Sequence, residues 1–305
     1  MCAAVGSFKC GFVGILGQTN VGKSTFLNAV MEQKLSIASD KPQTTRNRIR
    51  CVYNAEGIQI VFVDTPGLHR PQNKLGRRIV REAFRAVRDL NLLVYMVEPW
   101  RQVTDYDRGL LEHIETEDRP LLLLVNKTDL ARGNDLEETL LAYDGIGRFE
   151  ALVPISSKTG FNVDEALRTI IDYLPEGRPV FPSDVRVDAS DSFMVSELIR
   201  EKVVQETRQE VPYSTAVRVK WITERADGLV EILAEIVVER ESQKGILIGR
   251  GGRMIKFIGT RARADIETLL GRRVYLELRV RVSRGWTKDD QEIETLVGRD
   301  PGESL

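Results

Sequence analysis

Gly17-Gln-Thr-Asn-Val-Gly-Lys-Ser24 decides how this chain is read. The spacing G-x4-G-K-S lies between an apolar run, Cys10–Leu16, which reads as a strand, and a helical pattern over about Gly22–Glu32. In that context it is a phosphate-binding loop. The glycines allow backbone turns that aim N–H groups at phosphate oxygens, and the helix start adds partial positive charge. Lys23 is expected on the terminal phosphates and the Ser24 hydroxyl on Mg²⁺. Gly17, Gln18, Thr19, Asn20, Val21 and Gly22 complete the loop. Thr25 either contacts the α-phosphate or packs in the helix.

Three further segments follow in order, each after an apolar run. Asp64-Thr-Pro-Gly67 closes the run Ile58–Val63, where an aspartate holds the metal through a water. Gly67 lets its backbone approach the γ-phosphate, and Pro66 stiffens the turn. Asn126-Lys127-Thr128-Asp129 follows Leu121–Val125. The Asp129 carboxylate suits the N1–H and 2-amino donors of guanine; adenine lacks that donor pair. Lys127 can pack over the ring, and Asn126 can bridge loops. Ser156-Ser157-Lys158, after Ala151–Pro154, is expected to turn backbone N–H groups toward the guanine carbonyl. Alone, each segment is a weak signal. In this order they predict a site for GTP and GDP with Mg²⁺. Between the first helix and Ile49 lies Lys41-Pro-Gln-Thr-Thr-Arg46. A threonine there can complete the metal shell only when the γ-phosphate is present, which makes the loop a switch. Thr45 is the first candidate and Thr44 the second. Lys23, Thr45 and Gly67 are therefore the candidate catalytic contacts, with no protein general base; Ser24, Thr45 and Asp64 are the candidate metal residues.

This set resembles the translation-factor-type GTPases. Thr44-Thr45-Arg46 before the second strand resembles their TrmE-Era-Der group. Leu68 stands where Ras-like enzymes carry the glutamine that orients water, so slow intrinsic hydrolysis is expected. Asn20 matches an asparagine that accompanies a bridging potassium ion in relatives; the alternative is a residue that only stabilises the loop. His69 is more simply read as exposed than as a base.

The order of elements extends this reading. Strands at Ile49–Tyr53, Ile58–Val63, Leu92–Val97, Leu121–Val125 and Ala151–Pro154 alternate with helical patterns at Asn73–Arg88, Thr104–Glu117 and Val163–Tyr173. That pattern predicts an α/β domain over 1–174, with a mostly parallel sheet and helices on both faces. Three prolines in Leu174–Pro182 predict a linker, placed at 175–184. Over 185–305 the order becomes αββααβ: helix Ser192–Glu210, strands Val217–Thr223 and Val230–Val238, helices Ser242–Ile248 and Arg253–Leu270, and strand Arg273–Val282. Gly249-Arg-Gly-Gly252 joins the last two helices. A G-x-x-G loop between helices clamps the backbone of single-stranded nucleic acid in KH domains, so an α+β type II KH domain is predicted.

Charge supports this. The chain has 305 residues and a net charge of −1, yet 244–288 holds twelve basic residues against three acidic ones. Lys244, Ile248, Gly249, Arg250, Gly251, Gly252 and Lys256 are the candidate RNA contacts. Ile246, Ile248, Ile255 and Ile258 either floor the groove or belong to the core. Trp286 either stacks on RNA or, more simply, packs against the domain. The 3 scattered cysteines and 2 histidines give neither a disulfide framework nor a zinc site. No apolar run approaches the ~18 residues of a membrane span, and no signal peptide is read.

A GTPase of this group followed by one KH-type domain resembles the Era family of bacterial ribosome-assembly GTPases, with Lys244-Gly-x-x-Ile-Gly-x-x-Gly252 as the second-half signature. The resemblance implies binding near the 3′ end of small-subunit ribosomal RNA, a role in 30S assembly, and a cytoplasmic protein with peripheral association at the inner membrane. A monomer is expected. The rival readings are a membrane-surface regulatory GTPase whose basic C-terminal domain binds anionic lipid or generic RNA, and an RNA-binding module whose nucleotide barely turns over.

Overall fold

A computed structural model describes residues 8–36, 46–47, 49–67, 74–86, 90–100, 102–115, 119–146 and 148–297. The chain forms two compact units. The first runs β1 (Lys9–Gly17), α1 (Lys23–Met31), β2 (Ile49–Ala55), β3 (Ile58–Asp64), α2 (Lys74–Ala86), β4 (Leu92–Val97), α3 (Asp105–Glu115), β5 (Leu121–Val125), α4 (Asp135–Asp144), β6 (Ala151–Pro154), α5 (Val163–Asp172) and β7 (Val187–Asp188). The seven strands lie in the order β6-β5-β4-β1-β3-β2-β7. β1, β3, β4, β5 and β6 pair in parallel, and β2 runs antiparallel to β3 around the Glu56-Gly57 turn. Every residue of β4 and β5 is buried, as continuous apolar runs in a covered parallel sheet require. The carboxyl ends of β1, β3 and β5 carry the phosphate loop, Asp64 and Asn126, where an open α/β sheet binds its ligand.

The proline-rich stretch expected as a linker over 175–184 is instead laid along this sheet. Buried Gln59 accepts from Val180 N (2.7 Å) and Phe181 N (2.9 Å) and donates to Phe181 O (2.8 Å) and Asn54 Oδ1 (2.8 Å). Cys10 N donates to Pro175 O, Gly177 N to Phe8 O, and Val52 N to Arg186 O. The contacts of the first unit accordingly run on to Asp188. Gln59→Leu should take the acceptor from two part-buried amides and cost about 2 kcal/mol. Urea unfolding reads that loss, and limited trypsin digestion should then cut at Arg178.

The second unit holds α6 (Asp191–Glu206), β8 (Ala216–Glu224), β9 (Val230–Val238), α7 (Glu241–Ile248), α8 (Arg253–Leu270), β10 (Val274–Val282) and α9 (Asp290–Val297). Its sheet order is β10-β9-β8, with β10 parallel and β8 antiparallel to β9. This is the predicted αββααβ arrangement. α6 stops four residues short of the expected Glu210: Thr207 turns extended and its Oγ1 donates back to Val203 O, and Val211–Tyr213 form a separate short 3₁₀ turn. Val195, Ile199, Ile232, Ile236, Ile258 and Ile266 form its core.

The same unit also contains Arg46–Asn47 and the start of α2. Leu75 and Ile79 pack with Ala216, Val237, Trp286, Ile293 and Leu296 in one apolar cluster. Lys74 pairs with Asp290 at 2.8 Å, and Arg78 with Glu294. The Arg46 side chain is buried and donates to Thr215 O (2.7 Å), Pro212 O (3.0 Å) and Tyr213 O (3.0 Å).

Candidate nucleotide and RNA sites

The phosphate loop is held by close backbone approach. Gly17 has φ +146°, and a Cβ there would run into Met96 O of β4; Gly22 has φ +101°, and a Cβ would strike the Asn126 amide. Gly67 packs on the Thr19 backbone, with a would-be Cβ 2.8 Å from Thr19 Cα. Lys23 lies inside the loop, its Nζ donating to Gly17 O (3.0 Å) and Gln18 O (2.9 Å). Burial pulls its ammonium down to about 8, while Asp64 opposes that fall. Anionic phosphates are the counter-charge that such a buried ammonium lacks.

Asp64 is fully buried at the end of β3. Its Oδ2 accepts from Ser24 Oγ (2.9 Å) and Ser36 Oγ (2.5 Å). Its Oδ1 has no partner among the described residues. Burial pushes the carboxyl up, and Ser36, Lys23 and Ser24 pull it back. A buried carboxylate oxygen without a donor, beside a hydroxyl, fits a hard divalent cation. Ser36 escaped sequence reasoning. It is fixed by Asn28, whose Oδ1 accepts from Leu35 N and Ser36 N, both at 2.9 Å. Thr44, Thr45, Leu68 and His69 lie outside the described residues.

The loops of Asn126–Asp129 and Ser156–Lys158 lie together. Asn126 Nδ2 donates to Val21 O (2.8 Å), and Asn126 Oδ1 accepts from Ser157 N and Oγ, both at 2.9 Å. One buried side chain thus ties the phosphate loop to the Ser156–Lys158 loop. Ser156 Oγ donates to Asp129 Oδ1 at 2.6 Å, orienting an otherwise exposed carboxylate. Lys127, in the left-handed region at φ +65°, pairs with Glu98 at 2.5 Å. The Ser156 amide is taken by Phe161 O and the Ser157 amide by Asn126. Thr25 shows no contact that separates its two readings. Asn20, at φ +67°, has the conformation of a tight loop residue.

In the second unit the loop between α7 and α8 has φ +69° at Gly249, +60° at Gly251 and +78° at Gly252. Arg250, Arg253 and Lys256 around it are exposed, and among the described residues none is ion-paired. Elsewhere Arg261 pairs with Glu206, Arg272 with Glu224, and Arg279 with Glu277. Three exposed cations without an ion pair among the described residues thus sit together at the glycine loop. Lys244 and Ile248 flank it, half-buried. Ile258 is core and Ile246 exposed, while Ile255 lines a groove of about 330 Å³ with Lys256, Arg263 and Tyr275. Tyr275, exposed on the edge strand β10, was not picked out from sequence. Trp286 is buried, its Nε1 donating to Ser214 O at 3.1 Å, so it packs rather than stacks. No described helix is long and apolar enough to cross a membrane.

Comparison with known proteins identifies both units. A family model described as "50S ribosome-binding GTPase" matches residues 12–127, and a KH domain model matches 210–287. The GTPase Era of Geotalea daltonii is 45% identical over 287 residues, covering 94% of this chain and 97% of its own. The chain belongs to the Era GTPase family. The Era proteins of Geobacter metallireducens and Alkaliphilus metalliredigens are 44% and 40% identical, each over 95% of this chain. Two Era crystal structures superpose with a TM-score of 0.89 over 94% and 95% of this chain and 98% of their own, at 35% and 36% identity. One is a point variant of Aquifex aeolicus Era bound to GDP·AlF4⁻; the other is Era in complex with MgGDPNP and nucleotides 1506–1542 of 16S ribosomal RNA. The first unit of this Era-family chain is a P-loop GTPase and the second a KH domain.

Proposed function

We propose that this Era-family GTPase is a GTP-operated factor that binds small-subunit ribosomal RNA near its 3′ end and assists assembly of the 30S subunit. The observation that carries this reading is the uncompensated cluster Arg250, Arg253 and Lys256 on a positive-φ glycine loop, in a chain whose first unit is a P-loop GTPase. Phosphate contacts from such a loop fix register, and the groove toward Tyr275 gives bases a surface. Ser24 and Asp64 would hold Mg²⁺, which supplies positive charge at the phosphate oxygens when bound. Thr45 is the switch threonine in this reading, Asn20 the potassium partner, and Leu68 the reason for slow turnover. The protein acts in the cytoplasm, as a monomer.

Fluorescence anisotropy tests the proposal. A 16S rRNA 3′-end oligonucleotide and a scrambled control are titrated at fixed salt, with a GTP analogue and with GDP. The native sequence should bind at least about tenfold tighter in the GTP form, a coupling of the usual allosteric size. Equal, salt-sensitive binding of both RNAs in both states would refute it. Binding to anionic liposomes that RNA fails to displace would favour the membrane-surface reading.

A further inference from the structure

Asp107, in the first turn of α3, is fully buried and was given no role by its sequence context. Its two oxygens face different ways. Oδ2 accepts from Thr104 N (2.9 Å) and Thr104 Oγ1 (2.6 Å), and Thr104 Oγ1 accepts in turn from Asp107 N (3.2 Å). That half is a reciprocal helix cap, and capping alone explains it. Oδ1 contributes nothing to the cap. It accepts from Tyr95 Oη of β4 (2.6 Å) and from Nε2 of Gln18 (2.8 Å), the second residue of the phosphate loop.

We propose that Asp107 is a positioning residue for the phosphate loop, acting through the Gln18 side chain. The connection reaches the chemistry through one residue: Asp107 fixes the side-chain amide of Gln18, and the main-chain carbonyl of Gln18 accepts from Lys23 Nζ at 2.9 Å. Gly17 is held from the same side by its close approach to Met96 of β4, next to Tyr95. β4 and the α3 cap thus clamp the start of the loop from behind, on the side away from Asp64 and Ser24. Burial alone would push the Asp107 carboxyl up, but its donors Thr104, Tyr95 and Gln18 outweigh burial and hold it below its ordinary value, so the acceptor stays ionised. A fixed loop presents its N–H groups to the phosphates without an ordering cost at each binding event.

The test uses the full chain with fluorescent GDP. Gln18→Ala removes the link without touching the cap, and Asp107→Asn removes the charge. Each should weaken GDP binding about tenfold, the scale expected when a supporting contact is lost. The double variant should be no weaker than either single one, because both cut the same connection. A capping role alone would lower the Tm of Asp107→Asn yet leave Gln18→Ala within twofold of the parent, and that result would overturn the proposal. Losses that multiply in the double variant would overturn it equally.

Discussion

Asp129→Asn should exchange guanine for xanthine. The carboxylate of Asp129 stands at the open end of β5, and Ser156 Oγ holds one of its oxygens at 2.6 Å. Guanine offers this group two donors, N1–H and the 2-amino group. A carboxamide keeps one acceptor and puts an N–H₂ opposite the second donor, so one pair becomes repulsive. Sites built to pair a base edge and then mismatched lose about 10⁴-fold or somewhat less. A loss of about 10³-fold in GDP affinity is expected for this exposed carboxylate. Xanthine carries a carbonyl at C2, which the new amide can serve, so XDP should bind the variant more tightly than GDP. Competition between fluorescent GDP and XDP measures both effects. Retention of GDP within tenfold would mean that Asp129 does not read the base.

Gly251→Asp should disable the second unit while sparing the first. At φ +60° aspartate is among the better tolerated non-glycine residues, and a Cβ at Gly251 meets no atom within 4 Å. The fold should therefore survive. Gly249 would be a poorer choice, since a Cβ there lies 2.8 Å from Met254 Cβ and would confuse unfolding with lost binding. The new carboxylate sits among Arg250, Arg253 and Lys256, where an RNA backbone would run. It offsets one positive charge and repels the phosphates directly. Affinity for the rRNA oligonucleotide should fall about 100-fold, with a shallower dependence on salt. GDP binding by the same preparation should be unchanged. An RNA affinity within threefold of the parent would remove the glycine loop from the interface.

The nucleotide site was legible because its chemistry is local. Nucleotide binding needs particular residues at particular spacings, and Gly17–Ser24, Asp64–Gly67 and Asn126–Asp129 each carry theirs within a few positions. The fold of both units followed from periodicity and from the change of element order after Leu174. Contacts between distant residues were not legible. Gln18 and Asp107 stand 89 positions apart, and nothing in either neighbourhood marks the pair. Ser36 reads as one more loop serine until β3 brings Asp64 to it. Prolines near 180 suggested a linker because composition cannot show Gln59 waiting on β3. α9 was missed because eight residues with three buried apolar positions carry little periodicity, and Leu75 and Ile79, which it covers, come from far upstream. α4 was passed over for a similar reason, with only Thr139 and Tyr143 buried.

The place of Arg46 bears on how such a protein can be inherited. Its guanidinium fills a socket of three carbonyls beside β8, and the first turns of α2 roof the Trp286 cluster. The KH half is therefore not one uninterrupted stretch of gene. A recombination that moved only the codons for 189–297 would deliver a sheet missing its own plug and part of its lid. Part of the second unit is written inside the first, so a swap at residue 189 would leave Arg46, Leu75 and Ile79 behind.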